Sequence, residues 1–184
     1  MIDPVVARRI RLLGLDVDGV LTDNGVFLGQ VDGEAVELKR FDIQDGLGLV
    51  LLRGAELPVI WLSGRHSAAT ATRARELKVE ELLQVAGPEK YPAFAALLER
   101  RGIAWEEAAF VGDDLADLQV LRRVGLPIAV ANAVAEVKAV ASYVTRASGG
   151  HGAVREVAEA LLKARGMWPD ILQRYFTERA HGAV

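Results

Sequence analysis

The chain has 184 residues, of which 51% are hydrophobic and 26% charged, and its formal net charge is −3. This composition is typical of a globular protein, and the length fits a single domain with one core. The sequence contains no cysteine, which excludes disulfides, zinc–thiolate sites, iron–sulfur clusters and a cysteine nucleophile. Any metal would therefore be bound by oxygen or by histidine.

Charge and hydropathy also restrict the classes of partner. The nearly balanced charge argues against a nucleic-acid partner, and the apolar runs are too short to form a membrane-spanning helix. The first apolar run is not followed by a small-residue cleavage site, so we expect a cytoplasmic protein.

Short runs rich in Val, Ile and Leu alternate along the chain with amphipathic segments of helical length. Such alternation is typical of buried parallel strands joined by crossover helices. The predicted strands cover residues 12–17, 58–62, 81–85, 108–111 and 127–130, with a weaker sixth at 143–145. The predicted helices cover residues 46–53, 67–77, 91–101, 115–124, 134–140 and 152–165. The sequence therefore predicts one α/β domain over residues 1–184, with a doubly wound parallel sheet.

Residues 25–41 interrupt this alternation and are predicted to form two strands around Asp32-Gly33, a pair that favours a tight hairpin turn. The arms mix apolar and charged residues, and a two-stranded hairpin is marginal on its own. We therefore expect it to dock either on its own domain or on another subunit. The final segment, residues 167–184, carries apolar side chains at helical spacing and is predicted to be a second docking element.

Polar residues follow four of the predicted strands, and in doubly wound sheets ligands bind at such strand ends. These residues are Asp16 and Asp18, then Ser63, Gly64 and Arg65, then Lys90, and finally Asp113, Asp114 and Asp117. Two acidic clusters on different strands indicate a Mg²⁺ site, because a divalent cation offsets the repulsion between carboxylates. For any single Asp, a helix N-cap is the competing interpretation. Ser63, with the backbone N–H groups beside it, and Lys90 favour a phosphate site.

Taken together, residues 16–23, 62–65, 90 and 112–117 resemble the four-motif signature of the haloacid dehalogenase superfamily. Within that superfamily, residues 41–46 and 143–156 resemble the family of 3-deoxy-D-manno-octulosonate 8-phosphate (KDO 8-phosphate) phosphatases. The resemblance extends from about residue 8 to residue 165. It implies a haloacid dehalogenase fold and the hydrolysis of KDO 8-phosphate in lipopolysaccharide inner-core biosynthesis.

The resemblance also implies a role for each strand-end residue. Asp16 would attack phosphorus and form an aspartyl-phosphate, and Asp18 would act as general acid and then as general base. Ser63 and Lys90 would bind the phosphoryl oxygens. Mg²⁺ would be held by Asp16, by the carbonyl of Asp18 and by Asp113, with Asp114 or Asp117 ordering the groups around it.

The gaps between the motifs leave no room for a cap domain, so the site would be open to water. In the family that the sequence resembles, neighbouring subunits of a tetramer cover the site, and their hairpins assemble a central β-barrel. The resemblance therefore gives the hairpin a role in a homo-oligomer and favours a tetramer.

Contacts to a phosphorylated sugar acid are implied for Asp18, Asp42, Ile43, Gln44, Asp45, Gly46, Gly64, Arg65, Arg73 and Lys90. Arg65 and Arg73 are eight residues apart and are predicted to share one face of a helix, where two cations would suit a substrate carboxylate. Gln44 and His151 stand where many family members have arginine. A related nine-carbon keto acid phosphate therefore remains an alternative substrate.

Two non-enzymatic interpretations compete with a phosphatase. A phospho-receiver module also uses acids, a Ser or Thr and a Lys, but there the Lys comes last, whereas Lys90 precedes Asp113. A degenerate relative retained for oligomerisation alone is the other alternative. It is disfavoured because every predicted catalytic position is filled.

Overall fold

Strands and helices alternate along the chain in the structure, a computed structural model that describes residues 1–180. The strands are β1 (Leu12–Leu15), β2 (Phe27–Val31), β3 (Glu34–Leu38), β4 (Val59–Ser63), β5 (Glu81–Gln84), β6 (Ala108–Gly112), β7 (Leu126–Ala129) and β8 (Tyr143–Val144). The helices are α1 (Pro4–Arg9), α2 (Ile43–Gly54), α3 (Ala68–Glu76), α4 (Lys90–Arg101), α5 (Leu118–Leu121), α6 (Ala135–Val140), α7 (Ala153–Ala164) and α8 (Trp168–Ala180). Residues 181–184 of the predicted docking segment lie outside the described part.

Six of the strands form one parallel sheet in the order β5-β4-β1-β6-β7-β8. Every residue of β1, β6 and β7 is buried, which explains why these strands are unbroken apolar runs in the sequence. From β1 the chain moves outward through β4 to β5 and then returns past β1 to β6 and β7. This reversal confirms the predicted doubly wound α/β fold, and it places a ligand crevice at the carboxyl ends of β1, β4 and β6.

Helices α2, α7 and α8 pack against one another. The apolar face of α7 has helical spacing and is fully buried; it consists of Val154, Val157, Ala158, Leu161 and Leu162. Ile171 of α8 is also buried, and Arg174 Nη1 donates to the carbonyl of Gly54 at the end of α2, at 2.6 Å. The C-terminal segment thus docks on its own chain through α8. Within residues 1–180, no helix combines the length and apolar character needed to cross a bilayer.

Several boundaries differ from the predicted ones for local reasons. Strand β1 ends at Leu15 because the carbonyl of Val17 accepts from the N–H groups of Leu21 and Thr22 in a turn. Helix α2 begins three residues early, since the side chain of Asp42 caps it by accepting from the Gln44 N–H at 2.7 Å. The predicted helix at 115–124 is a 3₁₀ turn followed by the short α5. The sequence analysis missed α1 altogether.

The hairpin forms as predicted, with β2 and β3 antiparallel. Asp32 and Gly33 take φ angles of +52° and +84°, as a type I′ turn requires. Phe27 lies opposite Leu38 and Gly29 opposite Val36, so one face of the hairpin is mostly apolar. We call this the outer face; it consists of Phe27, Gly29, Val31, Val36 and Leu38, together with Glu34, which lies opposite Val31 next to the turn. The other face carries Glu37, which lies opposite Leu28.

Candidate active site

The carboxyl ends of β1, β4 and β6 bring together five of the predicted site residues. Asp16 directly follows β1, Ser63 ends β4 and Asp113 follows β6, while Lys90 begins α4 and Asp117 ends the 3₁₀ turn Leu115–Asp117. All five are buried. Parallel strands therefore deliver charged side chains from distant parts of the sequence to one point below the surface.

Lys90 connects two of these carboxylates. Its Nζ donates to Asp16 Oδ1 at 2.7 Å and to Asp117 Oδ1 at 2.9 Å. Burial on its own lowers the pKa of Lys90, but the two carboxylates outweigh it and raise that pKa above its ordinary value. Lys90 is therefore held as a cation beside the nucleophile predicted at Asp16.

Asp16 and Asp113 both hold excess negative charge in a buried place. Burial, reinforced by the neighbouring Asp117, raises the pKa of Asp16 well above its ordinary value. The same two causes raise the pKa of Asp113 to about 6. One lysine does not neutralise three carboxylates, so a further cation would stabilise this group of side chains.

A divalent cation fits this site. Carboxylate oxygens of Asp16, Asp113 and Asp117 lie within 4.8 Å of one another. Asp113 Oδ1 is buried and has no hydrogen-bond partner, and an orphaned carboxylate oxygen of this kind suits an oxygen-preferring ion such as Mg²⁺. Both oxygens of Asp117 are already engaged, Oδ1 by Lys90 and Oδ2 by the N–H of Asp113 at 3.0 Å.

Asp117 and Asp114 therefore have different roles. Asp117 is fully buried and orients both Lys90 and the backbone of Asp113. Asp114 is exposed and caps the following turn, since its Oδ1 accepts from the Leu115 N–H at 2.7 Å. Of the two acids predicted to order the metal site, only Asp117 reaches it.

Gly19 keeps the loop after β1 close to Asp113. Its φ is +90°, and a Cβ at this position would lie 2.0 Å from Asp113 Oδ2. A larger residue would have to push the carboxylate away. Gly64 has a similar role on the other side of the site, where a Cβ would lie 3.2 Å from Cε of Lys90.

Ser63 is completely buried at the end of β4. Its Oγ donates to the carbonyl of Arg65 at 3.0 Å and accepts from the Arg65 N–H at 3.3 Å. The hydroxyl therefore shapes the turn that leads to α3. Because a hydroxyl can rotate, it can also turn its proton toward an anion in the crevice.

Asp18 points toward the base of the hairpin. Its Oδ1 accepts from Lys39 Nζ at 2.6 Å, and the side chain of Lys39 is completely buried. Lys39 is a site residue that sequence analysis missed. Its only signal was the position of a lysine two residues from Glu37 in an otherwise mixed arm.

Arg65 and Arg73 do not share a helix face, contrary to prediction. Arg65 precedes Ser67, the N-cap of α3, and its guanidinium pairs with Glu37 of the hairpin. Arg73 lies inside α3, donates to Glu76 Oε2 at 2.8 Å and packs over the ring of Phe41. The two guanidinium groups have different partners because Arg65 lies on the loop and only Arg73 on the helix.

The predicted substrate residues at the start of α2 differ in their exposure to solvent. Asp42 caps the helix, whereas Ile43 and Gln44 are exposed and accessible. Gly46 is buried next to Arg73, with only 3.0 Å between its ideal Cβ position and the guanidinium.

Asp45 is also buried, and its role differs from the predicted sugar contact. Its Oδ1 accepts from the Arg155 N–H at 2.8 Å, so it caps the start of α7 from the neighbouring helix. Asp45 is therefore buried where α2 packs against α7.

Comparisons with known proteins agree with this geometry. Residues 66–157 match the family of haloacid dehalogenase-like hydrolases. The 3-deoxy-D-manno-octulosonate 8-phosphate phosphatase KdsC of Escherichia coli K12 is 44% identical over 160 residues, which cover 87% of this chain and 83% of that protein.

Solved structures extend the similarity to three dimensions. The Moraxella catarrhalis phosphatase, solved with a magnesium ion, a phosphate ion and KDO, superposes with a TM-score of 0.88 at 36% identity, covering 94% of this chain and 97% of that one. The cobalt-bound Haemophilus influenzae phosphatase gives a TM-score of 0.79 at 35% identity, covering 88% and 92%. By descent and by fold, the chain belongs to the haloacid dehalogenase-like hydrolases and, among them, to the family of KDO 8-phosphate phosphatases.

Proposed function

We propose that this protein is a Mg²⁺-dependent phosphatase that hydrolyses KDO 8-phosphate to KDO and inorganic phosphate, in lipopolysaccharide inner-core biosynthesis. The observation that carries the proposal is the buried cluster in which Lys90 binds Asp16 while Asp113 keeps an unpaired oxygen. Such a cluster supplies a nucleophile, a fixed cation and carboxylate oxygens that suit a metal. It sits in a chain 44% identical to an enzyme named for this reaction.

In the first step, a carboxylate oxygen of Asp16 attacks phosphorus in line with the departing sugar oxygen. The new bond joins phosphorus to Asp16, and the bond from phosphorus to the sugar oxygen breaks. Asp18 gives its carboxyl proton to that oxygen, which leaves as the sugar hydroxyl. Ser63 and Lys90 bind the other phosphoryl oxygens.

In the second step, water attacks the phosphorus of the aspartyl-phosphate. Asp18, now a carboxylate, takes a proton from that water, and the bond between phosphorus and Asp16 breaks. Inorganic phosphate leaves, and both aspartates return to their initial protonation states. The same side chain therefore acts as acid and then as base.

Mg²⁺ would be held by Asp16, by the carbonyl of Asp18 and by Asp113, where it offsets the charge between nucleophile and phosphate. Asp117 keeps Lys90 in place from the opposite side. Arg73 and the accessible start of α2 are the residues that we assign to the sugar acid, together with Arg65 when its contact with Glu37 opens.

We further propose a single capless domain over residues 1–184 that assembles as a homotetramer in the cytoplasm. The support for assembly is the outer face of the hairpin, where Phe27, Val31 and Leu38 are each about 60% exposed. An apolar strand face of this kind favours burial against another copy of the chain.

The test is a panel of phosphate esters with released phosphate as the readout. We expect the highest kcat/KM with KDO 8-phosphate, a lower value with a nine-carbon keto acid phosphate, and the lowest with mannose 6-phosphate. EDTA should abolish turnover and added Mg²⁺ should restore it. Equal rates with all three esters would contradict the assigned substrate, and a rate unaffected by EDTA would contradict the metal.

A further inference from the structure

Lys39 lies directly after β3, and its side chain is completely buried although it ends in an ammonium group. Its Nζ donates to Asp18 Oδ1 at 2.6 Å and to Thr70 Oγ1 at 3.2 Å, and it lies 3.8 Å from Glu37 Oε1. Burying a lysine is costly unless its charge is paired and its protons are bound. The hairpin nevertheless places it against the predicted acid–base residue.

These contacts fix the orientation of the Asp18 carboxylate. Oδ1 is bound to Lys39, and no other described residue donates to the side chain of Asp18. With one oxygen held, rotation of the carboxylate plane is restricted, and Oδ2 is left for a proton exchange in the crevice. Asp18 keeps partial access to solvent, with 20% of its side chain exposed.

Lys39 is itself held from two sides. Thr70, completely buried on α3, supplies a hydroxyl acceptor. Glu37 supplies a carboxylate that in turn accepts from Ser67 Oγ and from the guanidinium of Arg65. The hydrogen bond from Ser67 is the leading cause that lowers the pKa of Glu37, so Glu37 remains an anion beside Lys39.

We propose that Lys39 is a positioning residue that orients Asp18 for both proton transfers. It holds Oδ1 so that Oδ2 faces first the departing sugar oxygen and then the attacking water. This inference rests on the proposed function, because it assigns a role in that reaction. It makes the base of the hairpin part of the active site.

Two substrates separate this role from a merely structural one. A sugar alkoxide is a poor leaving group that needs the proton from Asp18, whereas p-nitrophenolate leaves without one. The value of kcat/KM reports the steps up to formation of the aspartyl-phosphate, and hydrolysis of that intermediate is common to both substrates. A misoriented Asp18 should therefore slow the first step for the sugar phosphate alone and the second step for both.

The experiment compares Lys39→Met with the wild type in the full-length protein with Mg²⁺. For KDO 8-phosphate, kcat/KM should fall about 10- to 100-fold, less than the full contribution of a general acid. For p-nitrophenyl phosphate, kcat/KM should stay within about threefold while kcat falls, and a burst of p-nitrophenolate should precede the slow steady state.

Lys138→Met is the matched control, because Lys138 lies on α6 and forms no ion pair within the described residues. It should leave both substrates unchanged. Thr70→Val removes the hydroxyl that seats Lys39 without changing charge, and it should give a weaker version of the same pattern. If circular dichroism shows that Lys39→Met does not fold, Thr70→Val tests the positioning role in its place.

Equal losses of kcat/KM for both substrates, or no loss for either, would overturn the positioning role. A wild-type protein that releases no phosphate from either ester would instead contradict the proposed function. The two failures are therefore distinguishable.

Discussion

Asp117 uses both of its carboxylate oxygens as acceptors, one for Lys90 and one for the N–H of Asp113. An asparagine has only one acceptor oxygen, so its amide nitrogen would face a donor at one of the two contacts. We expect Asp117→Asn to lower kcat/KM for phosphate esters by about 10- to 100-fold, the equivalent of one charge-assisted hydrogen bond. Steady-state kinetics on the purified variant measures this loss.

Asp114→Asn is the matched control for that variant. Asp114 is exposed, and asparagine is as good an N-cap as aspartate, so turnover should stay within about twofold of the wild type. A larger loss in Asp114→Asn than in Asp117→Asn would reverse the assignment of the two acids.

Asp16→Asn should reduce turnover by several orders of magnitude, because a neutral amide oxygen is a poor nucleophile toward phosphorus. The fold should persist, since asparagine keeps an oxygen that can accept from Lys90. Turnover is measured with p-nitrophenyl phosphate, and circular dichroism reports the fold. A pure variant that turns over at the wild-type rate would rule out the covalent mechanism.

At the level of elements, Asp45 joins α2 to the start of α7. Burial raises its pKa to about 6, although hydrogen bonds from the backbone at residues 152–155 oppose that rise. The folded protein thus binds this proton more tightly than the unfolded chain, and the free energy of unfolding falls as pH rises from about 4 to about 6. The loss amounts to at most about 3 kcal/mol.

Asp45→Asn keeps the acceptor for the Arg155 N–H and removes the charge, so it should remove this part of the pH dependence. Urea unfolding at pH 4.5 and pH 7.5 measures the effect as a change in the difference between wild type and variant. Asp16 and Asp113 are present in both proteins, so their titration cancels in that difference. If the difference in the free energy of unfolding between wild type and variant is the same at both pH values, burial does not raise the pKa of Asp45.

The elements themselves were largely predictable. Strands of a sheet covered on both faces must be apolar throughout, and for this reason β1, β4, β6 and β7 were visible in the sequence. The first and last residues of helices and strands were less predictable, because they depend on single hydrogen bonds. An example is the cap by Asp42, which starts α2 early. Helix α1 has six residues and one buried side chain, too little for a periodic pattern.

The site residues also divide into some that were predictable from the sequence and some that were not. Asp16, Ser63, Lys90 and Asp113 were predictable because the carboxyl ends of parallel strands meet at one edge. The contact between Lys39 and Asp18 was not, since nothing local tells which face of a hairpin folds back on its own domain. Arg65 was misplaced for a related reason: its partner Glu37 is distant in sequence.

At the scale of the whole molecule, the outer face of the hairpin should hold the assembly together. Val31 and Leu38 are 59% and 62% exposed, so replacing both by Glu should leave the single chain folded and should dissociate the oligomer. Light scattering should show the mass falling from about four times 19.9 kDa toward that of one chain.

Val5→Glu is the control, because Val5 is 60% exposed and belongs to α1, which is not part of the hairpin. Its mass should equal that of the wild type. An unchanged mass in the double hairpin variant, or a wild type that is already a single chain, would contradict the proposed tetramer.

Neighbouring residues around the end of β3 serve opposite sides of the molecule: Glu37 and Lys39 face the catalytic crevice, and Leu38 between them belongs to the outer face. Inserting or deleting one residue in this arm would exchange the two sides. Asp18 would lose its support and the apolar surface would gain charges, so catalysis and assembly would fail in one event. The tip at Asp32-Gly33 has no such constraint. Natural variation in hairpin length should therefore occur at the tip, or in the arms by two residues at a time.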